Sequence, residues 1–163
     1  MKRRYEYERN LPHYQKDDRA HFVTFVTCDR WPLPTPAREI VLEACKHFDG
    51  DRLILHAVVV MPDHVHLIIE FLKDDLGDDF TFEETVGAIK GFTAHKINEL
   101  MGRSGSVWLD ESFDHVLRRA ESVEQKIEYI RQNPVRSGLV KTVSEYAWLY
   151  VRPFAQPRTA VTH

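Results

Sequence analysis

The sequence predicts an α+β fold of the ferredoxin-like type, in which an antiparallel sheet carries helices on one face. Apolar segments with strand or helix spacing follow one another in the order β-α-β-β-α-β-α. Split βαβ units of this kind form such sheets. The length of 163 residues and a hydrophobic fraction of 43% favour one core. We therefore expect a single domain over residues 1–163, with an N-terminal arm at 1–20 and a C-terminal tail at 139–163.

The first half of the chain predicts a strand, a helix and a hairpin. Residues 21–28 alternate aromatic and β-branched side chains, which is typical of a strand. A proline-rich loop follows, and a helix is expected at 36–48. The apolar run 53–60 predicts a central strand. Pro62 breaks this strand, and residues 64–72 predict the strand that returns beside it.

The next segment predicts one long helix and two short strands. Thr81 and Glu84 have capping-box spacing and begin a helix that is expected to end near residue 102. Short strands are expected at 107–109 and 113–117.

A last helix is expected at 122–133, because Pro134 disfavours its continuation. The tail after Gly138 is expected to pack its large apolar side chains against the domain. These side chains are Leu139, Val140, Trp148 and Leu149.

Charge is unevenly distributed along the chain. The net charge is −3, which argues mildly against a large nucleic-acid footprint. Residues 70–84 have a net charge of −6, whereas residues 115–141 have +3 and residues 1–19 have +2. A polarised surface that binds a polyanion on one side fits this pattern, and scattered solvated charges are the alternative.

The two cysteines indicate a reducing compartment. Cys28 and Cys45 form no CxxC pair, so we expect neither a zinc ribbon nor a disulfide framework, and a cytoplasmic location fits. The first ten residues are charged and contain no apolar run, so a secretory signal is not expected. The apolar runs are too short to cross a membrane.

A His-x-His pair lies at the start of the second hairpin strand. On a strand, alternate side chains share a face, so His64 and His66 point one way and Val65 points into the core. Two imidazoles on a rigid strand are good ligands for a divalent metal. A pair of surface histidines in a sheet is the alternative.

Tyr129 and Asn133 are four residues apart on the last helix, so they share one face of it. The helical wheel places both away from the centre of the apolar stripe. A tyrosine at the edge of the core and a polar helix end before Pro134 are the alternatives.

Taken together, these segments resemble the single-tyrosine HUH transposases, and most closely the REP-associated tyrosine transposases. The resemblance covers residues 9 to 150. It rests first on MPDHVHL at 61–67 and YIRQNPVRSGLV at 129–140. Further matches are RNLPHY at 9–14, Lys90-Gly91, Val107-Trp108 and ESFD at 111–114.

The resemblance implies the RRM-like HUH variant of the predicted fold and assigns roles to single residues. His64 and His66 match the paired ligands of a Mg²⁺ or Mn²⁺ ion. Asn133 matches a third ligand, and Tyr129 matches the nucleophile. Asp63 stands where the commonest form of the motif has Asn, which places an additional negative charge beside the metal.

The implied activity is nicking and strand transfer of single-stranded DNA through a 5′-phosphotyrosine, at hairpin-forming repeats. A monomer or homodimer is expected, with the monomer favoured. Six basic side chains are candidate phosphate contacts. They are Arg4, Lys90, Arg118, Arg119, Arg131 and Arg136. Tyr14 and Trp108 are candidate stacking partners for bases.

Other readings of the same residues remain open. One is a non-catalytic DNA- or RNA-binding module on this fold. Another is a metal hydrolase for a small phosphodiester, with His115 as a further ligand. A purely structural role has no support beyond the presence of a compact domain.

Overall fold

The structure, a computed structural model, describes residues 19–118 and 120–153. Within these ranges the chain forms strands and helices in the predicted alternation. The strands are β1 (Ala20–Thr27), β2 (Leu53–Val60), β3 (His64–Phe71), β4 (Trp108–Leu117) and β5 (Leu149–Val151). The α-helices are α1 (Thr35–Phe48), α2 (Phe82–Met101) and α3 (Ala120–Arg136).

The five strands form one antiparallel sheet in the order β4-β1-β3-β2-β5. Strand β3 lies at the centre, between β1 and β2. On β1, Thr24 is opposite His66 of β3 on one side and Phe113 of β4 on the other. The α+β fold with an antiparallel sheet is therefore confirmed.

Helices α1 and α2 cover one face of the sheet. From β3, Val65, Leu67 and Ile69 point into this core, where they meet Val41 of α1 and Ile89 of α2. The residues that alternate with them on β3 point to the opposite face. A central strand that is apolar on both sides needs cover on both sides.

Helix α3 provides that cover, so the prediction that the helices share one face is wrong. Val123 and Ile130 of α3 pack with Ile68 of β3 and Val59 of β2 in a second core. The rule for split βαβ units accounts for α1 and α2, whereas α3 follows the edge strand β4 and returns over the other face. This second face carries the His-x-His pair.

The long helix follows the sequence prediction at both ends. The Thr81 hydroxyl accepts a hydrogen bond from the Glu84 amide, and the Glu84 carboxylate accepts one from the Thr81 amide. This capping box satisfies two amides that have no partner within the helix. Gly102 ends the helix in the left-handed conformation.

Two elements are longer than predicted. Strand β4 is one strand of ten residues rather than two short ones, because its pairing with β1 continues past an irregularity opposite Phe25–Thr27. Helix α3 continues through Pro134 to Arg136. Its end is a Schellman motif, in which the Leu139 amide donates to the Pro134 carbonyl and Gly138 has a φ of 80°.

The tail adds a strand that the sequence does not reveal. β5 pairs with β2 through Leu149 opposite Val59. Val140 and Trp148 pack against the second core as expected, whereas Leu139 is exposed. None of the described helices combines the length and apolar composition that crossing a bilayer requires.

Candidate active site

His64 and His66 lie side by side on β3, on the face that α3 covers. Their ring centroids are 4.7 Å apart, and His64 is half-buried whereas His66 is buried. Val65, between them, is fully buried in the core on the other face. The alternation that the sequence predicts for this segment is therefore confirmed.

Each imidazole is held through its Nδ1 atom. His64 Nδ1 lies 2.7 Å from Oδ1 of Asp63, and His66 Nδ1 lies 2.7 Å from the Thr24 hydroxyl. An ionised carboxylate only accepts, so His64 carries its proton on Nδ1 and presents the lone pair of Nε2. Oriented imidazoles of this kind are typical of metal-binding histidines.

The electrostatic surroundings keep the buried ring neutral. Burial lowers the pKa of His66 to about 3, helped by repulsion from His64 whenever that ring is protonated and from the Lys126 ammonium. Burial alone would raise the pKa of Asp63, but its hydrogen bond and charge interaction with His64, together with Arg30, leave it lower than usual. Near neutral pH the site therefore combines an uncharged His66 with a carboxylate behind His64.

Helix α3 places Tyr129 beside this pair. The Tyr129 ring centroid is 5.7 Å from that of His66 and 6.1 Å from that of Phe22, which stacks on His66. Tyr129 is 37% exposed, so part of the residue is accessible to solvent. The helical-wheel position at the margin of the apolar stripe explains this combination of contact and exposure.

Two cations lie close to the Tyr129 ring. The Arg136 guanidinium lies 4.5 Å from the ring centroid and donates to the Tyr129 carbonyl, 3.0 Å away. The Lys126 ammonium lies 5.3 Å from the same ring and 4.9 Å from that of Phe22. Sequence reasoning missed Lys126, although its position three residues before Tyr129 places both on one helix face.

Asn133 follows Tyr129 by one helical turn and is half-buried. Within the described part of the chain, its carboxamide has no hydrogen-bond partner, so it is available to a ligand. No group of three or more His, Cys, Asp and Glu side chains that could hold a metal occurs among the described residues. His115 does not join the histidine pair in such a group, and its ring stacks near Phe113.

The candidate phosphate contacts are placed differently from one another. Arg136 lies at Tyr129, whereas Arg131 on the same helix pairs with Glu128 at 3.7 Å. Arg118 is exposed just after the end of β4. Arg4 and Arg119 lie outside the described residues, as does Tyr14.

Lys90 and Trp108 have structural contacts that sequence reasoning did not foresee. The Lys90 ammonium donates to the Leu109 and Asp110 carbonyls and to the Ser112 hydroxyl, and so joins α2 to β4. Trp108 is buried, and its indole N–H donates to Thr93. Lys90 is thus occupied within the fold, and Trp108 is not a surface platform for a base.

Comparison with known proteins finds similar sequences and a similar fold. No protein-family model matches the chain. A protein of Escherichia coli strain K12 named REP-associated tyrosine transposase is 28% identical over 142 residues, covering 86% of this chain and 79% of its own length. A putative REP-associated tyrosine transposase of Haemophilus influenzae is 22% identical over 118 residues, covering 68% of this chain.

The match spans 64% of the Haemophilus protein, just under two thirds of its length. Among solved structures, a REP-associated tyrosine transposase bound to a REP hairpin has the same fold. Its TM-score is 0.61 and its identity is 24%, over 90% of this chain and 82% of that one. The chain is therefore similar in sequence and in fold to proteins named as REP-associated tyrosine transposases, in line with the resemblance of its two main motifs.

Proposed function

We propose that this protein is a transposase-type enzyme that nicks and rejoins single-stranded DNA, with Tyr129 as the nucleophile. The observation that carries the proposal is the 5.7 Å separation of the Tyr129 and His66 ring centroids, since the two residues are 63 positions apart in sequence. A nucleophilic side chain beside a pair of oriented imidazoles is an arrangement suited to metal-assisted phosphoryl transfer.

The relatives support DNA as the substrate. Two curated relatives are named as REP-associated tyrosine transposases, and the related structure has a REP hairpin bound. We propose that this chain likewise acts beside a hairpin. An exposed tyrosine on a helix reaches an in-line position on an extended single strand more easily than within a duplex.

The residues present fit a divalent metal. Both imidazoles engage Thr24 or Asp63 through Nδ1, so the Nε2 atoms remain for a ligand. His64, His66 and the Asn133 carboxamide are the proposed ligands of Mg²⁺ or Mn²⁺. A bound ion would polarise a phosphodiester oxygen and offset the charge that develops in the transition state.

The reaction is a transfer of the phosphoryl group to Tyr129 and back. The phenol oxygen loses its proton and forms a bond to phosphorus, while the bond from phosphorus to the 3′ oxygen breaks and that oxygen takes up a proton. The products are a 5′-phosphotyrosine and a free 3′-OH. Attack by the 3′-OH of another strand reverses these bond changes and releases Tyr129.

Lys126 and Arg136 contribute positive charge close to the phenol ring. Both favour the approach of a phosphate and the negative charge on the phenol oxygen. The 5.7 Å contact between Tyr129 and His66 of the same chain supports action in cis, and we favour a monomer.

Replacement of the proposed nucleophile tests the proposal. The substrate is a labelled hairpin with single-stranded flanks, taken from inverted repeats beside the gene, incubated with Mn²⁺. The Tyr129→Phe variant is expected to bind this DNA but form no covalent adduct on a denaturing gel. Tyr150→Phe, at a tyrosine near α1, is the matched control and should form the adduct.

A second variant tests the metal site. His64→Ala is expected to lose cleavage and Mn²⁺ affinity, measured by calorimetry, while DNA binding persists. An adduct formed by Tyr129→Phe would refute the assignment of the nucleophile. Tight DNA binding by the wild type without any adduct would instead indicate a non-catalytic binding module.

A further inference from the structure

Two aromatic rings on the edge strand share the sheet face of the candidate active site. On β4, Phe113 is opposite Thr24 of β1, and His115 is opposite Phe22. Directly opposite residues of an antiparallel pair point to the same face. Thr24 binds His66, and Phe22 stacks on it, so this face is the one that α3 covers further along the sheet.

The exposure of Phe113 needs an explanation. Its side chain is 59% exposed, although it lies in one row with Thr24 and His66 across three adjacent strands. Two strand spacings, roughly 10 Å, separate Phe113 from His66 along this row. Phe113 is therefore close enough to the proposed cleavage point to meet the same DNA strand.

The two rings also have a suitable mutual geometry. Phe113 and His115 have ring centroids 6.5 Å apart and an interplanar angle of 19°. They are almost parallel, and both are exposed. An exposed pair of nearly parallel rings offers π-faces to a planar ligand, and nucleobases stack on such faces with little sequence preference.

The charges of β4 favour bases over phosphates as the contact. The exposed Asp110 and Glu111 precede Phe113 on this strand, and acidic side chains repel a phosphate backbone. The cations of the site, Lys126 and Arg136, lie instead around Tyr129. This distribution of charge favours phosphates near Tyr129 and bases at the edge of the sheet.

We propose that Phe113, assisted by His115, is a stacking platform for an unpaired base next to the cleaved phosphate. This inference rests on the proposed function, because it assigns a position to part of the same DNA strand. Such a platform fixes the approach of the strand to Tyr129. Because stacking tolerates every base, it holds the strand without reading its sequence.

The test compares two single strands that differ only in their bases. The probes are fluorescein-labelled oligothymidylate of twelve nucleotides and a strand of the same length that is abasic throughout. Binding is measured by fluorescence anisotropy in EDTA, so that no cleavage occurs. The variants are Phe113→Ala, Phe113→Trp and Phe92→Ala. Phe92 is a matched control, since it is 46% exposed on α2, behind the opposite face of the sheet.

Phe113→Ala is expected to bind oligothymidylate about tenfold more weakly than the wild type, with little change for the abasic strand. Phe113→Trp is expected to restore the affinity. The slope of log K against log salt should stay unchanged, because no phosphate contact is lost. Phe92→Ala should bind both strands as the wild type does.

Three results would overturn the inference. One is equal affinity of Phe113→Ala and the wild type for oligothymidylate, which would leave the proposed nicking by Tyr129 intact. Another is an equal loss of affinity of Phe113→Ala for oligothymidylate and for the abasic strand. The third is a halved molecular mass of Phe113→Ala in sedimentation, which would make this edge a contact between two copies. A wild-type protein that binds neither strand would refute the proposed DNA function, and this inference with it.

Discussion

The Arg136 guanidinium lies 4.5 Å from the centre of the Tyr129 ring, although Arg136 follows Tyr129 by seven residues, about two helical turns, along α3. The same side chain donates a hydrogen bond to the Tyr129 carbonyl. Arg136 is thus tied to the backbone of the residue whose ring it covers. This double contact restricts the orientation of the ring relative to the histidine pair.

Replacement of Arg136 is expected to slow the proposed nicking reaction. Arg136→Ala should reduce the rate of adduct formation roughly tenfold at saturating DNA, because the phenol is held less firmly in line. Arg136→Lys keeps the charge but loses the planar group, so its rate of adduct formation should lie between those of the wild type and Arg136→Ala. Single-turnover gel assays measure the rates.

Arg103 provides the control for this prediction. Its guanidinium lies 4.1 Å from the centre of the Trp31 ring, in a comparable stacking contact away from the histidine pair. Arg103→Ala should leave the adduct rate unchanged. A similar loss in both variants would mean that stability, and not the orientation of Tyr129, is affected.

Lys126 is expected to contribute through its charge. Lys126→Met, which keeps the length of the side chain, should lower the adduct rate about tenfold at saturating DNA, because one cation beside the phenol is removed. Lys96, whose ammonium lies 5.9 Å from the Phe92 ring on α2, is the matched control. If Lys96→Met and Lys126→Met slow the reaction equally, the effect of Lys126 is not local.

Asp63 is expected to act on the metal through His64. Asp63→Ala removes the acceptor that holds the His64 ring and should weaken Mn²⁺ binding about 10- to 100-fold. Asp63→Asn retains an acceptor oxygen and should stay within a few-fold of the wild type. Calorimetric titration with Mn²⁺ measures the affinity of the wild type and of both variants. Equal affinities of these three proteins would contradict the role of Asp63.

The low pKa of His66 predicts a loss of stability in acid. Because burial holds this pKa at about 3, below the ordinary value of 6.5, protonation favours the unfolded chain. The contribution of the neutral His66 ring to the free energy of unfolding is complete above pH 6.5 and is lost as the pH falls toward 3. Between pH 7.5 and 5 the metal-free protein should lose about 2 kcal/mol through this residue.

Urea unfolding in EDTA measures this dependence. Other groups also titrate in this range, so the quantity of interest is the difference between the wild type and His66→Gln. The variant should show a change between pH 7.5 and 5 that is smaller by about 2 kcal/mol. Identical pH dependence in both proteins would show that His66 is not buried in its neutral form.

Local patterns predict much of the fold. The capping box of Thr81 and Glu84 and the turn at Pro62 occur where their chemistry requires them. The opposite orientations of His66 and Val65 follow from the period of a strand. Pro134 misleads, because a helix end depends on all its contacts, and here the Schellman motif at Gly138 determines the last turn.

What sequence reasoning missed depends on long-range contacts. Thr24 and His66 are 42 residues apart, and no local signal connects a strand threonine with that imidazole. The ammonium of Lys90 is directed to backbone carbonyls of β4, which no sequence pattern encodes. The side of the sheet that α3 covers is likewise set by the whole topology.

The position of β3 between two cores has a consequence for insertions and deletions. Side chains of β3 alternate between a face packed by α1 and α2 and a face packed by α3. One residue added in the turn at 61–63 would exchange the two sets, burying the imidazoles among aliphatic side chains and turning Val65 toward Tyr129. Homologous proteins should therefore keep this turn at constant length while the acidic loop at 73–79 varies freely.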